Sequence, residues 1–137
     1  MKVLLLTFEE NEEDTLTRIL SCIGNRTEIL EYEDKGILQF EGLCIDKYKR
    51  IVVREENEIE LTYTEFEILL LLANNPGRVF SKEQIYDSVW KEPYSGDYNI
   101  VMSHIRNIRE KIEDNPSKPV YIQTVWGVGY KFNNKLK

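Results

Sequence analysis

The feature that most constrains this chain is a helix-forming stretch from Asp97 to about Asp114, in which apolar residues recur at spacings of four, three and four. At 100° per residue, these apolar side chains fall within about 40° of one another on one side of the helix. They are Val101, Ile105, Ile108 and Ile112. A stripe of this kind must face the core of a packed domain.

The opposite side of this helix presents hydroxyl, amide and guanidinium groups. Ser103, Asn107 and Glu110 lie at its centre, and Asn99 and Arg106 lie on one flank. Arginine can make paired hydrogen bonds to guanine, and asparagine can make them to adenine, at base edges in the major groove of DNA. Any surface helix has a polar outer face, so the neighbouring elements are needed to decide whether this one reads DNA.

Three further residues lie at the margins of the apolar stripe. Lys111 is on the second flank, and Arg109 is nearer the core margin. His104, the one histidine, has two open interpretations: a structural residue at the edge of the stripe, or a contact to phosphate. A catalytic role would need a nucleophile and an orienting partner, and the sequence suggests neither.

Two shorter helices are predicted before the long one. Thr64 and Glu67 form a capping box for the first, which the breakers at 75–77 end. Ser81 and Gln84 form the same device for the second. A loop rich in helix breakers, residues 91–96, then precedes the long helix.

Short strands surround these helices. Residues 37–40, 43–45, 50–54 and 58–61 alternate with turn signals and predict a four-stranded antiparallel meander. After the long helix, 121–125 and 130–132 predict a hairpin around Trp126-Gly127-Val128-Gly129, where glycine permits positive φ. The hairpin would supply Thr124, Tyr130 and Lys131 for phosphates beside the helix.

The first 35 residues have a different character. Residues 2–8 are expected to form a short buried strand, residues 15–23 an amphipathic helix and residues 27–32 a second strand. We therefore expect a short acidic β-α-β-like segment at 1–35 and a separate domain at 36–137. The two cysteines, Cys22 and Cys44, have neither metal-ligand nor disulfide spacing and are expected to be buried free thiols.

Charge is distributed unevenly along the chain. Residues 1–34 hold three basic and nine acidic residues, which accounts for the whole net charge of −6. Residues 97–137 hold seven basic and four acidic residues. Local charge sets the field at a binding surface, so the acidic start weakens the case for DNA only slightly. The sequence shows no signal peptide and no membrane-spanning run, so a cytoplasmic protein is expected.

Four segments of the sequence resemble the OmpR/PhoB-type winged helix domain of bacterial response regulators. The resemblance covers about residues 36–132, and cap, turn, reading helix and hairpin occur in the family's order and separations. The segments are Leu61-Thr62-Tyr63-Thr64-Glu65-Phe66-Glu67-Ile68-Leu69, Pro76-Gly77-Arg78-Val79-Phe80-Ser81-Lys82-Glu83-Gln84 with Trp90 after it, Ser103-His104-Ile105-Arg106-Asn107-Ile108-Arg109-Glu110-Lys111-Ile112-Glu113, and Thr124-Val125-Trp126-Gly127-Val128-Gly129-Tyr130-Lys131-Phe132.

The resemblance implies an α+β fold: a winged helix-turn-helix with an N-terminal four-stranded antiparallel sheet, three helices and a C-terminal hairpin wing. It also implies tandem binding to direct-repeat promoter sites, with a homodimer at least on DNA. The expected DNA-binding residues, from the helix pattern and the resemblance together, are Asn99, Ser103, Arg106, Asn107, Arg109, Lys111, Thr124, Trp126, Tyr130 and Lys131. The loop that touches RNA polymerase in many members corresponds to Lys91, Glu92, Tyr94 and Ser95.

The sequence departs from the family pattern at three positions. Asn107 and Trp126 stand where arginine is common, and Glu110 stands where lysine is frequent. Each departure removes a cation or adds an anion near phosphate, so we expect modest intrinsic affinity and reliance on dimerisation or a partner. Trp126 has two open roles: packing within the wing, or stacking or wedging at the minor groove.

The start of the chain resembles the first strand and helix of a receiver domain, with Glu9, Glu10 and Asn11 near its acidic pocket. The strand that would carry a phosphoacceptor aspartate has no room before the sheet, so no phosphoacceptor is expected. We expect control that does not depend on phosphorylation, with the acidic segment serving in dimerisation or partner docking through its unpaired strand edges.

Taken together, these features predict a sequence-specific double-stranded DNA-binding transcription regulator. The alternative is a winged helix that binds protein instead of DNA, for example as a competitor of full-length response regulators. No phosphate-cradling glycine loop, metal cluster or nucleophile-base pair is present in the sequence, so neither an enzyme, a cofactor nor a metal is expected. The pattern does not predict the operator, the regulated genes, or activation versus repression.

Overall fold

The computed structural model of this protein describes residues 6–23, 34–91 and 97–136. The chain divides into two compact units, residues 1–33 and 34–137, and each is described by itself. The expected strand at 27–32 and most of the loop at 91–96 lie outside the described residues. Within the described ranges, no helix is both long and apolar enough to cross a membrane.

The first unit contains a 3₁₀ turn at Glu10–Glu12 and helix α1 at Glu13–Ile23. Acidic residues in the first turn of α1 favour its start, since they interact well with the positive end of the helix dipole. The expected strand at 2–8 is wrong where it can be checked: residues 6–8 are not in a strand, and Leu6 is 46% exposed. A strand needs a neighbour that takes its hydrogen bonds, and no described residue pairs with 6–8.

The second unit begins with a four-stranded antiparallel sheet in the order β1-β2-β3-β4, which confirms the predicted meander. Leu43, Ile45 and Val52 point from its two central strands into the core and are at most 1% exposed. Cys44 faces the other side and is only half-buried, while Cys22 on α1 is exposed, so the expectation of two buried thiols is wrong. The strands are β1 Ile37–Phe40, β2 Leu43–Asp46, β3 Ile51–Arg54 and β4 Asn57–Ile59.

Three helices follow the sheet: α2 Tyr63–Ala73, α3 Lys82–Trp90 and α4 Tyr98–Ile112. Ser81 caps α3 and forms the predicted box with Gln84.

The predicted cap of α2 is wrong by two residues. Thr62, not Thr64, is the N-cap: its hydroxyl accepts from the Glu65 amide at 3.2 Å, and the Glu65 carboxylate accepts from the Thr62 amide at 3.2 Å. The earlier box forms because Glu65 is buried and its carboxylate also receives Lys111 of α4 at 2.6 Å. Glu67 instead pairs with Arg50 in the turn between β2 and β3.

The chain ends in the predicted hairpin, formed by β5 Ile122–Val125 and β6 Gly129–Phe132. Phe80 forms a bridge with this hairpin, since its amide and carbonyl bond the Tyr130 backbone at 2.8 and 2.9 Å. Gly129 permits that approach: a Cβ there would lie 2.0 Å from the Phe80 carbonyl oxygen. The hairpin is thereby attached to the segment that precedes α3.

Candidate nucleic-acid interface

Helix α4 separates a buried side from an exposed one as predicted. Val101, Ile105, Ile108 and Ile112 are at most 1% exposed and belong to the core cluster. Asp97 is the N-cap of the helix, and its carboxylate accepts from the Asn99 backbone amide at 3.1 Å. The exposed residues on the opposite side are Asn99, Ser103, Arg106, Asn107 and Glu110.

Arg106 lies on one flank of this exposed side, with 80% of its side chain accessible. Its Nε lies 3.3 Å from the carboxylate of Glu110, one turn later and itself 53% exposed. An exposed pair at this spacing is worth only about 0.3–0.5 kcal/mol. The guanidinium can therefore exchange Glu110 for another acceptor at little cost.

Arg109 has a different position, although it is only three residues further along. Its Nη2 donates to the Ile122 carbonyl at 3.0 Å and to the Thr124 hydroxyl at 2.8 Å, and its Nε also donates to Ile122 at 3.1 Å. The guanidinium carbon lies 5.6 Å from the centre of the Tyr130 ring. Burial lowers the pKa of Arg109, which Tyr130 and Glu113 partly offset, but an arginine side chain stays charged in proteins. Arg109 therefore holds the hairpin beside α4.

Glu113, the residue after α4, fixes the start of the same hairpin. It is buried, and its carboxylate accepts from the backbone amides of Val120, Tyr121 and Ile122 at 2.7–3.1 Å. A carboxylate that accepts several backbone amides is a strong local anchor. The sequence indicated a helix end here but did not indicate this role for Glu113.

Two predicted DNA-binding side chains besides Arg109 are engaged within the protein. The Lys111 ammonium lies on the flank of α4 that faces α2, 2.6 Å from the buried Glu65 carboxylate. Tyr130 is 7% exposed, and burial raises the pKa of its hydroxyl. The positive charge of Arg109 has the opposite, smaller effect on this pKa. Lys111 joins two helices and Tyr130 belongs to the core, and a contact of either with DNA stays a prediction.

The tip of the hairpin is exposed. Trp126 has 91% of its surface accessible and Val128 has 58%. The packing alternative for Trp126 is therefore wrong, because the indole projects from the turn beyond the last strand pair, Val125 with Gly129. Thr124 is exposed and Lys131 is half-buried on the two strands.

An open groove runs between the hairpin and the helices. Its lining includes Lys82 and Glu83 at the start of α3 and Met102 on α4, together with Arg109 and Trp126. Met102 is 43% exposed and was not predicted as part of this surface. Its spacing from Asn99 and Arg106, three and four positions, was the signal that could have found it.

His104 lies away from this groove. Its ring is 5.6 Å from that of Trp90, which stacks on Tyr86 at 4.8 Å. The Nδ1 atom of His104 is buried and has no hydrogen-bond partner among the described residues. These contacts favour the structural interpretation of His104.

The loop expected to touch RNA polymerase is described only at Lys91, which ends α3 in the left-handed conformation with φ 57° and is exposed. Glu92, Tyr94 and Ser95 lie outside the described residues.

The chain is similar to known transcriptional regulatory proteins. Residues 56–132 match the family model described as "Transcriptional regulatory protein, C terminal". The chain is 51% identical over 125 residues to the uncharacterized transcriptional regulatory protein YrkP of Bacillus subtilis, with 89% of this chain and 54% of YrkP covered. It spans about half the length of the curated relatives it matches, 42% and 54% for the first two.

Solved structures agree with the fold. The response regulator DrrB of Thermotoga maritima, an OmpR/PhoB homologue, superimposes with a TM-score of 0.68 at 37% identity, covering 94% of this chain and 55% of DrrB. The DNA-binding domain of RstA from Klebsiella pneumoniae, in complex with the RstA box, gives 0.66 at 28% identity, covering 71% and 96%. On the family match and these structures, the chain belongs to the transcriptional regulatory protein C-terminal family, as a winged helix-turn-helix domain of the OmpR/PhoB type.

Proposed function

We propose that this chain is a sequence-specific double-stranded DNA-binding transcription regulator. Helix α4 would enter the major groove, and the hairpin would lie on the adjacent minor groove. The observation that carries the proposal is the division of α4: its isoleucine and valine stripe is buried, while Arg106, Asn107 and Asn99 are exposed on one side. The related RstA domain has been solved in complex with the RstA box, which supports DNA binding by this chain.

The exposed side of α4 has the chemistry for base recognition. Arg106 carries a fork of donors that matches the O6 and N7 atoms of guanine. Asn99 and Asn107 match the N6 and N7 atoms of adenine, and Ser103 can donate or accept. Since Arg109 attaches the hairpin to α4, both surfaces would meet the duplex as one preorganised body.

The phosphate contacts are proposed for Thr124 and Lys131 on the hairpin. Lys111 and Tyr130 are left out of the contact set because their side chains are engaged elsewhere, and Arg109 acts by positioning the hairpin. All the proposed DNA-facing groups lie in residues 34–137 and are accessible within that unit. DNA binding by this chain is therefore proposed not to require phosphorylation. RNA polymerase remains a proposed partner of the loop at Lys91, Glu92, Tyr94 and Ser95, and a homodimer is proposed on DNA.

The test is a fluorescence anisotropy titration with a random duplex and with a duplex selected from a random pool, each at two salt concentrations. We expect tighter binding to the selected duplex and weaker binding to both at higher salt. No affinity for either duplex in dilute salt would contradict DNA binding and favour the alternative, a winged helix that binds protein. Glu110 keeps that alternative open, because it places a carboxylate on the reading side.

Two variants separate base from phosphate contacts. Arg106→Ala should cost about 1–3 kcal/mol on the selected duplex and reduce the preference over random DNA. Lys131→Ala should weaken both duplexes about equally and lower the salt slope by about 0.9. Lys49→Ala is the matched control, since Lys49 is exposed in the turn between β2 and β3. An equal loss on both duplexes from Arg106→Ala would make Arg106 a phosphate contact instead.

A further inference from the structure

The tip of the hairpin carries an exposed tryptophan, Trp126, to which the proposed base and phosphate contacts assign no role. We infer that Trp126 is an apolar wedge that enters the minor groove of duplex DNA and lies against its sugars and base edges, unstacking a base step. This inference rests on the proposed function. It adds an uncharged residue that contributes to the affinity for DNA and to the preference for particular base steps.

The exposure of Trp126 is unusual for its type. Tryptophan is among the residues with the largest apolar area and is highly buried on average. Here the indole is 91% exposed, and Val128, two residues later, is 58% exposed. The two side chains flank Gly127, so the apolar surface is concentrated at one point of the molecule. An apolar cluster at the end of a projecting element indicates a contact surface.

The geometry of the turn suits entry into a narrow groove. The Val128 amide donates to the Val125 carbonyl at 3.0 Å, and Gly127 has φ 75°, so the two strands close in a tight turn. The minor groove of B-DNA, about 6 Å wide, is too narrow for a two-stranded ribbon. A tight turn can therefore present one large side chain to this groove while the strands stay outside it.

The hairpin is held firmly enough to act as a wedge. The Phe80 bridge fixes β6, and the Arg109 contacts to Ile122 and Thr124 fix β5 against α4. A side chain on a preorganised element loses less conformational entropy on binding than one on a mobile loop. The backbone of the hairpin that carries Trp126 is therefore held at a defined place relative to the exposed side of α4.

The charge around the tip favours a polyanion as the partner. Residues 115–137 contain four lysines and no aspartate or glutamate. An apolar side chain within a cationic segment is the arrangement found where proteins insert wedges between base steps. Pyrimidine-purine steps unstack most easily, so the wedge should favour duplexes rich in TA steps.

The experiment uses the full chain and two labelled 30-base-pair duplexes, one of alternating T and A and one of G and C only. On the TA duplex, Trp126→Ala should weaken binding about 5- to 100-fold, because it removes an aromatic contact to the bases. The salt slope should stay unchanged, because the indole carries no charge. Trp126→Arg should instead steepen the salt slope by about 0.9. Tyr48→Ala is the control, since Tyr48 is another exposed aromatic residue, 68% accessible, in the turn between β2 and β3.

Intrinsic fluorescence gives an independent readout. The TA duplex should quench the emission of the unaltered protein, and the quenching should be absent in Trp126→Phe, which retains the half-buried Trp90. Binding with unchanged emission, or Trp126→Ala within twofold of the unaltered protein, would overturn the wedge and leave DNA binding intact. If Trp126→Ala weakened binding only on duplexes long enough to hold two copies of the protein, the wedge would be overturned in favour of a contact between the two copies. If the unaltered protein binds no duplex, the proposed function and the wedge both fail.

Discussion

At the scale of single residues, neighbours on α4 have different tasks because they face different elements. Arg106 is 80% exposed and pairs with Glu110, whereas Arg109, three positions later, donates to Ile122 and Thr124. Lys111 lies on the opposite flank and pairs with Glu65 of α2. The hairpin and α2 therefore each take one cation of the helix, and Arg106 remains for a ligand.

Replacing Glu110 with glutamine should strengthen DNA binding. The change removes an anion that pairs with Arg106 at 3.3 Å and would lie near phosphate. A surface charge interaction of about 0.4–1 kcal/mol corresponds to roughly two- to fivefold in affinity, with the larger effect at low salt. Anisotropy titration measures it, with Glu58→Gln as the matched control on exposed β4. Equal affinities of Glu110→Gln and the unaltered chain would show that Glu110 lies far from bound DNA.

At the scale of elements, side-chain hydrogen bonds to the backbone mark the starts of α2 and α3 and the end of α4. Helix α2 starts at Tyr63 because Thr62 and Glu65 exchange hydrogen bonds, and α3 starts at Lys82 because Ser81 and Gln84 do the same. Arg54 of β3 donates to the carbonyl of Ile112, the last residue of α4, at 3.1 Å. These contacts satisfy terminal backbone groups that helices otherwise leave unpaired.

The two threonines before and within α2 provide a direct comparison. Thr62→Ala should lower the free energy of unfolding by about 1 kcal/mol, since it removes the N-cap oxygen. Thr64→Ala should change it by less than about 0.5 kcal/mol, because Thr64 is inside the helix, where alanine is favoured. Chemical denaturation followed by circular dichroism measures both. A larger loss from Thr64→Ala would place the cap where the sequence alone suggested it.

The two glycines of the hairpin should differ in how much stability the protein loses when each is replaced by alanine. Gly129→Ala should destabilise the protein by about 3 kcal/mol or more, because the new Cβ would lie 2.0 Å from the Phe80 carbonyl oxygen and would separate the bridge. Gly127→Ala should cost about 1–2 kcal/mol, since the site has φ 75° but no atom within 4 Å. Thermal unfolding distinguishes the two, and similar losses would contradict the close approach at Gly129.

At the scale of the whole molecule, the first unit is distinguished by its acidic charge and by the partly exposed apolar stripe of α1. Residues 1–33 hold three basic and eight acidic residues. Helix α1 has no buried residue within the described part of the chain, although Leu16, Ile19 and Leu20 form its apolar stripe. An acidic unit with a partly uncovered stripe supports the hypothesis that it serves in dimerisation or partner docking.

Deleting residues 1–33 tests that hypothesis. The cut retains Asp34, whose carboxylate accepts from the Gly36 amide at 2.8 Å and pairs with Lys47 at 3.2 Å. We expect 34–137 to fold, to have the mass of a monomer by light scattering, and to bind random duplex more tightly than the full chain in dilute salt. The gain should fade at high salt, because it arises from removing long-range repulsion. An unchanged oligomeric state would contradict a dimerisation role.

Much of the fold follows from local patterns that can be read without coordinates. The inward stripe of α4, the meander, the cap of α3 and the glycine turn each depend on residues within about ten positions of one another. Helical periodicity and turn chemistry operate over that distance, so the pattern predicts them. The exposed polar side of α4, with Arg106 and Asn107, was predictable for the same reason.

What only the tertiary structure decided depends on residues far apart in the chain. The box of Thr62 and Glu65 caps α2 in place of the predicted one, and its Glu65 carboxylate also accepts from Lys111, 46 positions away. Arg109 and Tyr130 belong to the hairpin contact, and Trp126 at the tip is 91% exposed. Sequence periodicity shows which side of a helix is polar, but the elements that pack beside it determine which polar groups stay free for a partner.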